Sequence, residues 1–416
     1  MAEMMKHLHV DETRLASYIE TLGAIGWQPP GGIVRPVYSP AWVQAREQLA
    51  EWMRAAGLEV RTDTVGNLFG RLRGTSDDDH TILTGSHIDT VKFGGKFDGA
   101  LGVLAGLIAL QTLSDQAGKP LRSLEVVALC EEEGSRFPAH YWGTRGILGL
   151  IQPQELESLH DDDGQTIAEA MRSAGFAPER YHEAVRHDIT AFLELHIEQG
   201  RILYDEQVNV GIVEAITGLY QQVITVTGQP DHAGTTPMNQ RRDALQGAAL
   251  MAIAMSRLVE QEGWPAVVTM GKWEIWPGAM NIIPGRTRFT VDLRHPDEAT
   301  KQRLAAAMRE RCIATAQARK LEIMIETLKD SLPARMDPAL QTILIKAAQA
   351  CGATWKALPS GAGHDSQEMA RHLPTAMLFV PSVEGRSHSA AEYTTLTDAT
   401  RGTAVLATAL YQLAYT

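Results

Sequence analysis

Leu124-Glu125-Val126-Val127-Ala128-Leu129-Cys130-Glu131-Glu132-Glu133-Gly134 runs from an apolar segment straight into three carboxylates. The segment 126–129 lacks the alternation of a half-exposed strand, which predicts a strand covered by helices on both faces. Three adjacent carboxylates at a strand end repel one another, and a cation resolves that repulsion. One carboxylate can ligate it while its neighbour stays free as a proton acceptor. A solvated acidic turn is the competing reading of these three residues taken alone.

Upstream, 58–63, 68–72 and 81–84 read as further strands and 101–113 as a helix, giving α/β texture. Ser39 and Pro40 are placed as N-cap and first residue of another helix, which Gly57 ends. The middle of the chain differs. Strand 223–227, helix 242–258, strands 266–270 and 287–293, helix 297–316 and strand 321–325 follow the order β-α-β-β-α-β of a ferredoxin-like unit. That unit is complete in itself, so 217–329 reads as a domain inserted into a first domain made of 1–216 and 330–416. After it come a helix from Asp337-Pro338 to 350, a strand 376–380 and an amphipathic helix 398–413. The acidic runs 77–79 and 161–163 read as solvated loops.

Composition narrows the function classes. The 416 residues carry 50 Asp+Glu against 38 Lys+Arg, a formal net charge of −12 with His neutral. An acidic surface with no Lys/Arg cluster disfavours nucleic acid and anionic membranes as partners. With 44% hydrophobic residues there is ample material for a core, which excludes disorder as the main state. The start lacks a basic segment followed by an apolar one, with Asp11 and Glu12 in its place, so a secretory signal is not expected. The longest apolar stretch, 100–110, is about half of the roughly 20 residues a bilayer span needs, so no transmembrane helix is expected. Cys130, Cys312 and Cys351 are widely spaced, which fits reduced thiols in a cytoplasmic protein. With 14 His against 3 Cys, a bound metal would be held by imidazole and carboxylate.

Four polar clusters end probable strands of the first domain. Gly85-Ser86-His87-Ile88-Asp89-Thr90 is followed by Asp98 in Gly-Lys-Phe-Asp-Gly. A histidine at a strand's carboxyl end faces the crevice where open α/β sheets bind ligands, and Asp89 is spaced to hold one ring nitrogen so that the other faces a metal. Glu131-Glu132-Glu133, Glu194-Leu195-His196-Ile197-Glu198-Gln199-Gly200 and Gly385-Arg386-Ser387-His388 complete the set. Together they offer His87, Asp98, Glu133, His196 and His388, which suit two divalent ions sharing a bridging carboxylate. Zn, Mn, Co or Ni would accept these donors. Such a pair activates water and polarises a carbonyl, so hydrolysis of an amide-like bond is the natural use. In the inserted unit, Arg294 at a strand end can grip a carboxylate, and His232 and Asn281 can donate to an oxygen that becomes anionic. Gly361-Ala362-Gly363-His364-Asp365 offers backbone N–H groups to an anion; His364 is a rival ligand ranked below His388.

At these residues the sequence resembles the family of allantoate amidohydrolases and N-carbamoyl-L-amino acid hydrolases, within the dinuclear zinc aminopeptidase/acylase superfamily. GSHIDTV, GGKFDGALG, EEEGSRFP, ELHIEQG, DHAGTTPM, NIIPG, DLRH and SGAGHD occur in the family's order, over most of the chain from about Gly31. VYSPAW near residue 40 adds to a likeness to the bacterial allantoate branch. The resemblance implies a metallopeptidase-like three-layer α/β/α catalytic domain with an inserted ferredoxin-like lid and dimerisation domain. It implies that His87, Asp98 and His196 hold one metal and Asp98, Glu133 and His388 the other, with Glu132 as general base. It places Gln199, His232, Asn281, Arg294, Gly361 and Gly363 at substrate contacts, with His232 reaching the active site from the partner of a homodimer. Two departures stand out: Ser389-Ala390-Ala391-Glu392 follows His388 where the family has Asn-Pro-Ala-Glu, and Leu219-Tyr220-Gln221-Gln222 replaces a more basic strand start. The reading is then hydrolysis of the terminal ureido group of allantoate, a small anion. An N-carbamoyl-L-amino acid hydrolase is the nearest rival, a dipeptidase a more distant one, and a non-catalytic binding homologue the alternative of a different class.

Overall fold

A computed structural model describes residues 8–76 and 80–416; the first seven residues and the acidic run 77–79 lie outside the described residues. The strands in chain order are β1 (Glu59–Thr62), β2 (Leu68–Leu72), β3 (Thr81–His87), β4 (Ser123–Leu129), β5 (Ile189–Ile197), β6 (Val210–Ile216), β7 (Gly218–Thr227), β8 (Val267–Thr269), β9 (Trp273–Trp276), β10 (Arg286–His295), β11 (Glu322–Ser331), β12 (Ala334–Arg335), β13 (Trp355–Ser360) and β14 (Thr375–Val380). The chain divides into two compact units. One holds the residues up to Glu214, Met336–Leu358 and His364–Thr416; the other holds Ala215–Arg335 and Pro359–Gly363.

The first sheet runs β1-β2-β4-β3-β5-β14-β6, with β12 and β13 paired to β6. Its centre, β4-β3-β5-β14, is parallel. Successive strand side chains point to opposite faces. Ile82, Leu124, Val126 and Ala128 accordingly enter the main core, while Leu83, Val127 and Leu129 pack on the other face with Phe69, Phe192 and Met369. Both faces are covered, so β4 is buried at every position, as its lack of alternation predicts.

The helix Ala100–Ala117 packs on β3, β4, β5 and the helix Leu396–Ala414. It is longer than the expected 101–113, and its 18 residues are by length and composition apolar enough to cross a membrane, which corrects the expectation that no segment reaches that length. The structure buries 72% of it inside the protein, so its apolarity is that of a core helix. Gly102 permits the approach: a Cβ there would sit 2.2 Å from the Leu195 carbonyl oxygen. The helix start, with Asp98 and Gly99 just before it, is thereby pressed against β5.

In the second unit the sheet runs β11-β7-β10-β8, with β9 also on β10, and all pairings are antiparallel. Helices Ala244–Glu262 and Glu298–Ala318 cover one face over Ile224, Val226, Phe289, Val291 and Leu293. The order is the ferredoxin-like one with an added strand. The sequence reading missed β9, which has only four residues, all of them half-buried or exposed. It also missed β6, β13 and the two-residue β12.

The covered sheet contains buried carboxylates, of which Glu125 is held by arginines. Glu125 of β4 is fully buried and accepts from Arg61 Nε at 3.2 Å and Arg186 Nη1 at 2.8 Å. Arg186 also pairs with Asp188, which accepts from Thr81 Oγ1 at the start of β3. Removing one partner of a buried pair strands the others without compensation. Glu125→Ala should therefore lower unfolding free energy by about 3 kcal/mol or more in urea titrations.

Candidate metal centre

β3, β4 and β5 lie side by side in the order β4-β3-β5, so their carboxyl ends bring three sequence clusters together. β3 runs on to His87 and β5 past His196, so both histidines sit within strands rather than in the loops after them. Asp98 occupies the centre. Its Oδ1 lies 3.6 Å from His87 Nε2 and 3.3 Å from His196 Nε2, while its Oδ2 lies 3.4 Å from His388 Nε2. His388 Nε2 is also 3.6 Å from Glu133 Oε2, and Glu132 Oε2 is 3.8 Å from His87 Nε2. The donor atoms of His87, Asp98 and His196 all lie within 4.8 Å of one another, as do those of Asp98, Glu133 and His388. Two pockets of donors thus share one carboxylate, an oxygen for each.

The electrostatics favour cations. Burial pushes the Asp98 carboxyl up, but His196, His388 and His87 facing it hold it well below the usual carboxylate range. Asp98 raises His388 to about 9. Burial raises Glu132 well above the usual value, with Glu133 and Asp365 adding to the effect, and it lifts Glu133 to about 7. Glu131 and Asp365 are pushed to about 8 by burial and by neighbouring carboxylates. So many crowded acids are costly without positive charge, because burial penalises each ionised form. Glu133 Oε1, Asp89 Oδ1 and Gln199 Oε1 are buried with no hydrogen-bond partner. A donor set of imidazoles and carboxylates with spare lone pairs fits two hard-to-borderline divalent ions.

The supporting contacts orient this set. His87 Nδ1 lies 3.0 Å from the main-chain oxygen of Asp89; the Asp89 carboxylate is 3.8 Å away and instead accepts from Glu133 N at 3.1 Å. Asp89 thus steadies both His87 and the Glu133 loop. His196 Nδ1 faces the Ile197 oxygen at 2.9 Å, and Gln199 Nε2 donates to Asp98 Oδ2 at 2.7 Å. Glu131, Gln199 and His388 adopt φ of 54°, 57° and 53°, a left-handed backbone that non-glycine residues rarely adopt outside over-determined functional loops. The His364 ring meets His196 edge-on with centroids 4.4 Å apart, and its donor atom lies within 4.8 Å of those of Glu194 and His196.

The remaining candidates belong to the second unit. His232 and Ile282 form an isolated bridge, and Ala233 N donates to the Asn281 oxygen, so His232 and Asn281 lie close together. Arg294 is held by Asp292 through Nε at 2.9 Å and Nη2 at 3.3 Å, and its Nη1 donates to the Gly361 oxygen at 2.8 Å. Gly361 and Gly363 belong to this unit as well.

Comparison with known proteins decides the family. A profile described as peptidase family M20/M25/M40 matches residues 83–412. The chain belongs to this family. Among family relatives, an allantoate amidohydrolase from Escherichia coli (strain K12) is 41% identical, covering 95% of this chain and 96% of its own. An N-carbamoyl-L-amino acid amidohydrolase from Geobacillus stearothermophilus is 38% identical over 96% of this chain and 98% of its own. A crystal structure of a hydantoinase/carbamoylase family amidase from Burkholderia ambifaria superposes with a TM-score of 0.91 at 36% identity, covering 98% of this chain and 97% of that one. The M20 resemblance and the mixed α/β fold expected from sequence are therefore borne out.

Two residues at this site were given no role by the sequence reading, although it quoted both within their motifs. Glu194 is buried and accepts from Ser86 Oγ at 2.6 Å and Ser366 Oγ at 2.7 Å, bracing the strands that carry His87 and His196. Its spacing of two from His196 puts both side chains on one strand face, a signal available in the sequence. Glu392 is the other, and it closes a loop contact no local pattern announces. Gly99 is constrained too: its φ is 63° and a Cβ would meet the His87 ring at 2.4 Å. Gly99→Ala should displace His87 and reduce divalent-cation uptake by tenfold or more, roughly the cost of disturbing a ligand's support, as read by calorimetric titration of the purified protein.

Proposed function

We propose that the protein is an allantoate amidohydrolase, carried by one observation: Asp98 faces two donor pockets with Glu132 beside them, in a chain 41% identical to an allantoate amidohydrolase. His87, Asp98 and His196 would hold one divalent ion and Asp98, Glu133 and His388 the other, with Zn or Mn preferred and Co or Ni compatible. Bound there, the pair would supply Lewis acidity toward water and the ureido carbonyl.

Glu132 does the proton work. Burial raises its carboxyl, which suits a group that must take a proton and give it back near neutral pH. It removes a proton from the attacking water, whose oxygen bonds to the terminal ureido carbon. It then returns the proton to the leaving nitrogen, so ammonia departs as the C–N bond breaks. The carbamate left behind loses CO2 and yields ureidoglycine. Gln199, fixed on Asp98, orients the reacting group. Arg294 is pre-set by Asp292 and Gly361 to offer its remaining N–H groups to the substrate carboxylate, beside the main chain of Gly361 and Gly363. His232 and Asn281 offer hydrogen-bond donors to the oxygen that becomes anionic.

In this reading the first unit is the catalytic domain, and the second acts as lid and dimerisation domain. Leu250, Ile253, Trp264, Val267 and Trp276 are exposed apolar side chains of the second unit, and they support self-association through it. A cytoplasmic location goes with the reduced thiols Cys130, Cys312 and Cys351.

Turnover of allantoate and of N-carbamoyl-L-methionine by Mn-loaded protein separates the leading substrate from its rival. Ammonia released faster from allantoate is expected; release only from the carbamoyl amino acid would assign the rival activity. Glu132→Gln should lower kcat by about two to four orders of magnitude, the usual span of general base catalysis, while bound metal measured by mass spectrometry stays near two ions per chain. Unchanged turnover in that variant would show that another group is the base.

A further inference from the structure

We infer that Glu392 is a positioning residue that locks the loop carrying His388 onto the loop carrying Asp98, and so builds the second of the two cation positions. This rests on the metal-pair reading above and extends it to a residue outside the donor set. Glu392 is 5% exposed, and its Oε1 accepts from two successive main-chain groups, Phe97 N and Asp98 N, each at 2.9 Å. Its Oε2 accepts from Ser387 Oγ at 3.0 Å, and Ser387 Oγ lies 2.8 Å from Asp98 Oδ2. The partners are thus N–H groups and a hydroxyl on the two loops that must meet, not a neutralising cation. A carboxylate is costly to bury in that way unless its contacts are needed.

The surroundings are shaped to admit it. A Cβ at Gly95 would lie 2.3 Å from Glu392 Oε1 and 2.5 Å from its Cβ, so only glycine leaves room. Glu392 N donates to the Ser389 oxygen, closing the turn after His388, and the Tyr393 ring packs edge-on against Phe97 at 5.8 Å. His388 itself is 51% exposed and sits on a left-handed backbone. Its Nε2 also lies 3.5 Å from Gln199 Nε2, and Val383 N donates to the Tyr393 oxygen on the same loop. The chain's Ser389-Ala390-Ala391 departs from Asn-Pro-Ala yet keeps this anchor.

The test counts ions in the full-length protein, loaded with Mn(II) and passed through gel filtration, and titrates them by calorimetry. Wild type should hold two per chain, and Glu392→Ala one, the weaker equivalent losing affinity by about tenfold to a hundredfold, the cost of removing a ligand's support. Glu392→Gln should keep both: its amide oxygen accepts from Phe97 N and Asp98 N, and its amide nitrogen donates to Ser387 Oγ. Gly95→Ala, which crowds the carboxylate without removing it, should reproduce the loss and serves if Glu392→Ala does not fold. Far-UV circular dichroism and melting identify the folded variants. Fewer than two ions in wild type would refute the metal-pair reading itself. Two tightly held ions in a folded Glu392→Ala or Gly95→Ala protein would overturn the role given to Glu392, as would equal loss in Glu392→Gln.

Discussion

The buried carboxylate of Asp98, meeting the buried imidazoles of His87 and His196 and the half-exposed one of His388, is the constraint on which the rest of the structure turns. His87 and His196 approach one of its oxygens and His388 the other. Such a convergence demands that segments far apart in sequence end within about 4 Å of one carboxylate. The parallel order β4-β3-β5-β14 provides it, because parallel strands deliver their carboxyl ends to a single edge. The apolar helix after Asp98 is pressed onto that edge through Gly102, so the central carboxylate is held by the core rather than by a loop.

Charge balance explains why the pocket takes the form it does. Buried Glu131, Glu132 and Asp98 and half-buried Glu133 crowd one region, where burial penalises ionised carboxylates, and three histidines do not neutralise them all. Two divalent ions would complete the balance and leave Glu132 as the proton carrier. The formal surplus of negative charge would then misdescribe this pocket, which the two ions would make attractive to an anion.

Much of this was legible in the sequence, and for physical reasons. Val126–Leu129 lacks alternation because both faces of β4 are covered, so the three-layer architecture shows in a few residues. His87, Glu133 and His196 were found because each follows or ends an apolar strand. The link Asp98-Ser387-Glu392 was not, since it joins Asp98 to a carboxylate 294 residues away through one hydroxyl. Nor was β9, a four-residue strand with no fully buried side chain. The role of Asp89 was half legible: its spacing marks it as a partner of His87, but only the fold shows that its main-chain oxygen meets the ring while its carboxylate holds Glu133.

Anomalous diffraction from crystals of the Mn-loaded protein tests the role of Asp98 most directly. Two peaks are expected, one beside Oδ1 with His87 and His196 and one beside Oδ2 with Glu133 and His388. A single peak, or a pair that does not share the Asp98 carboxylate, would contradict it.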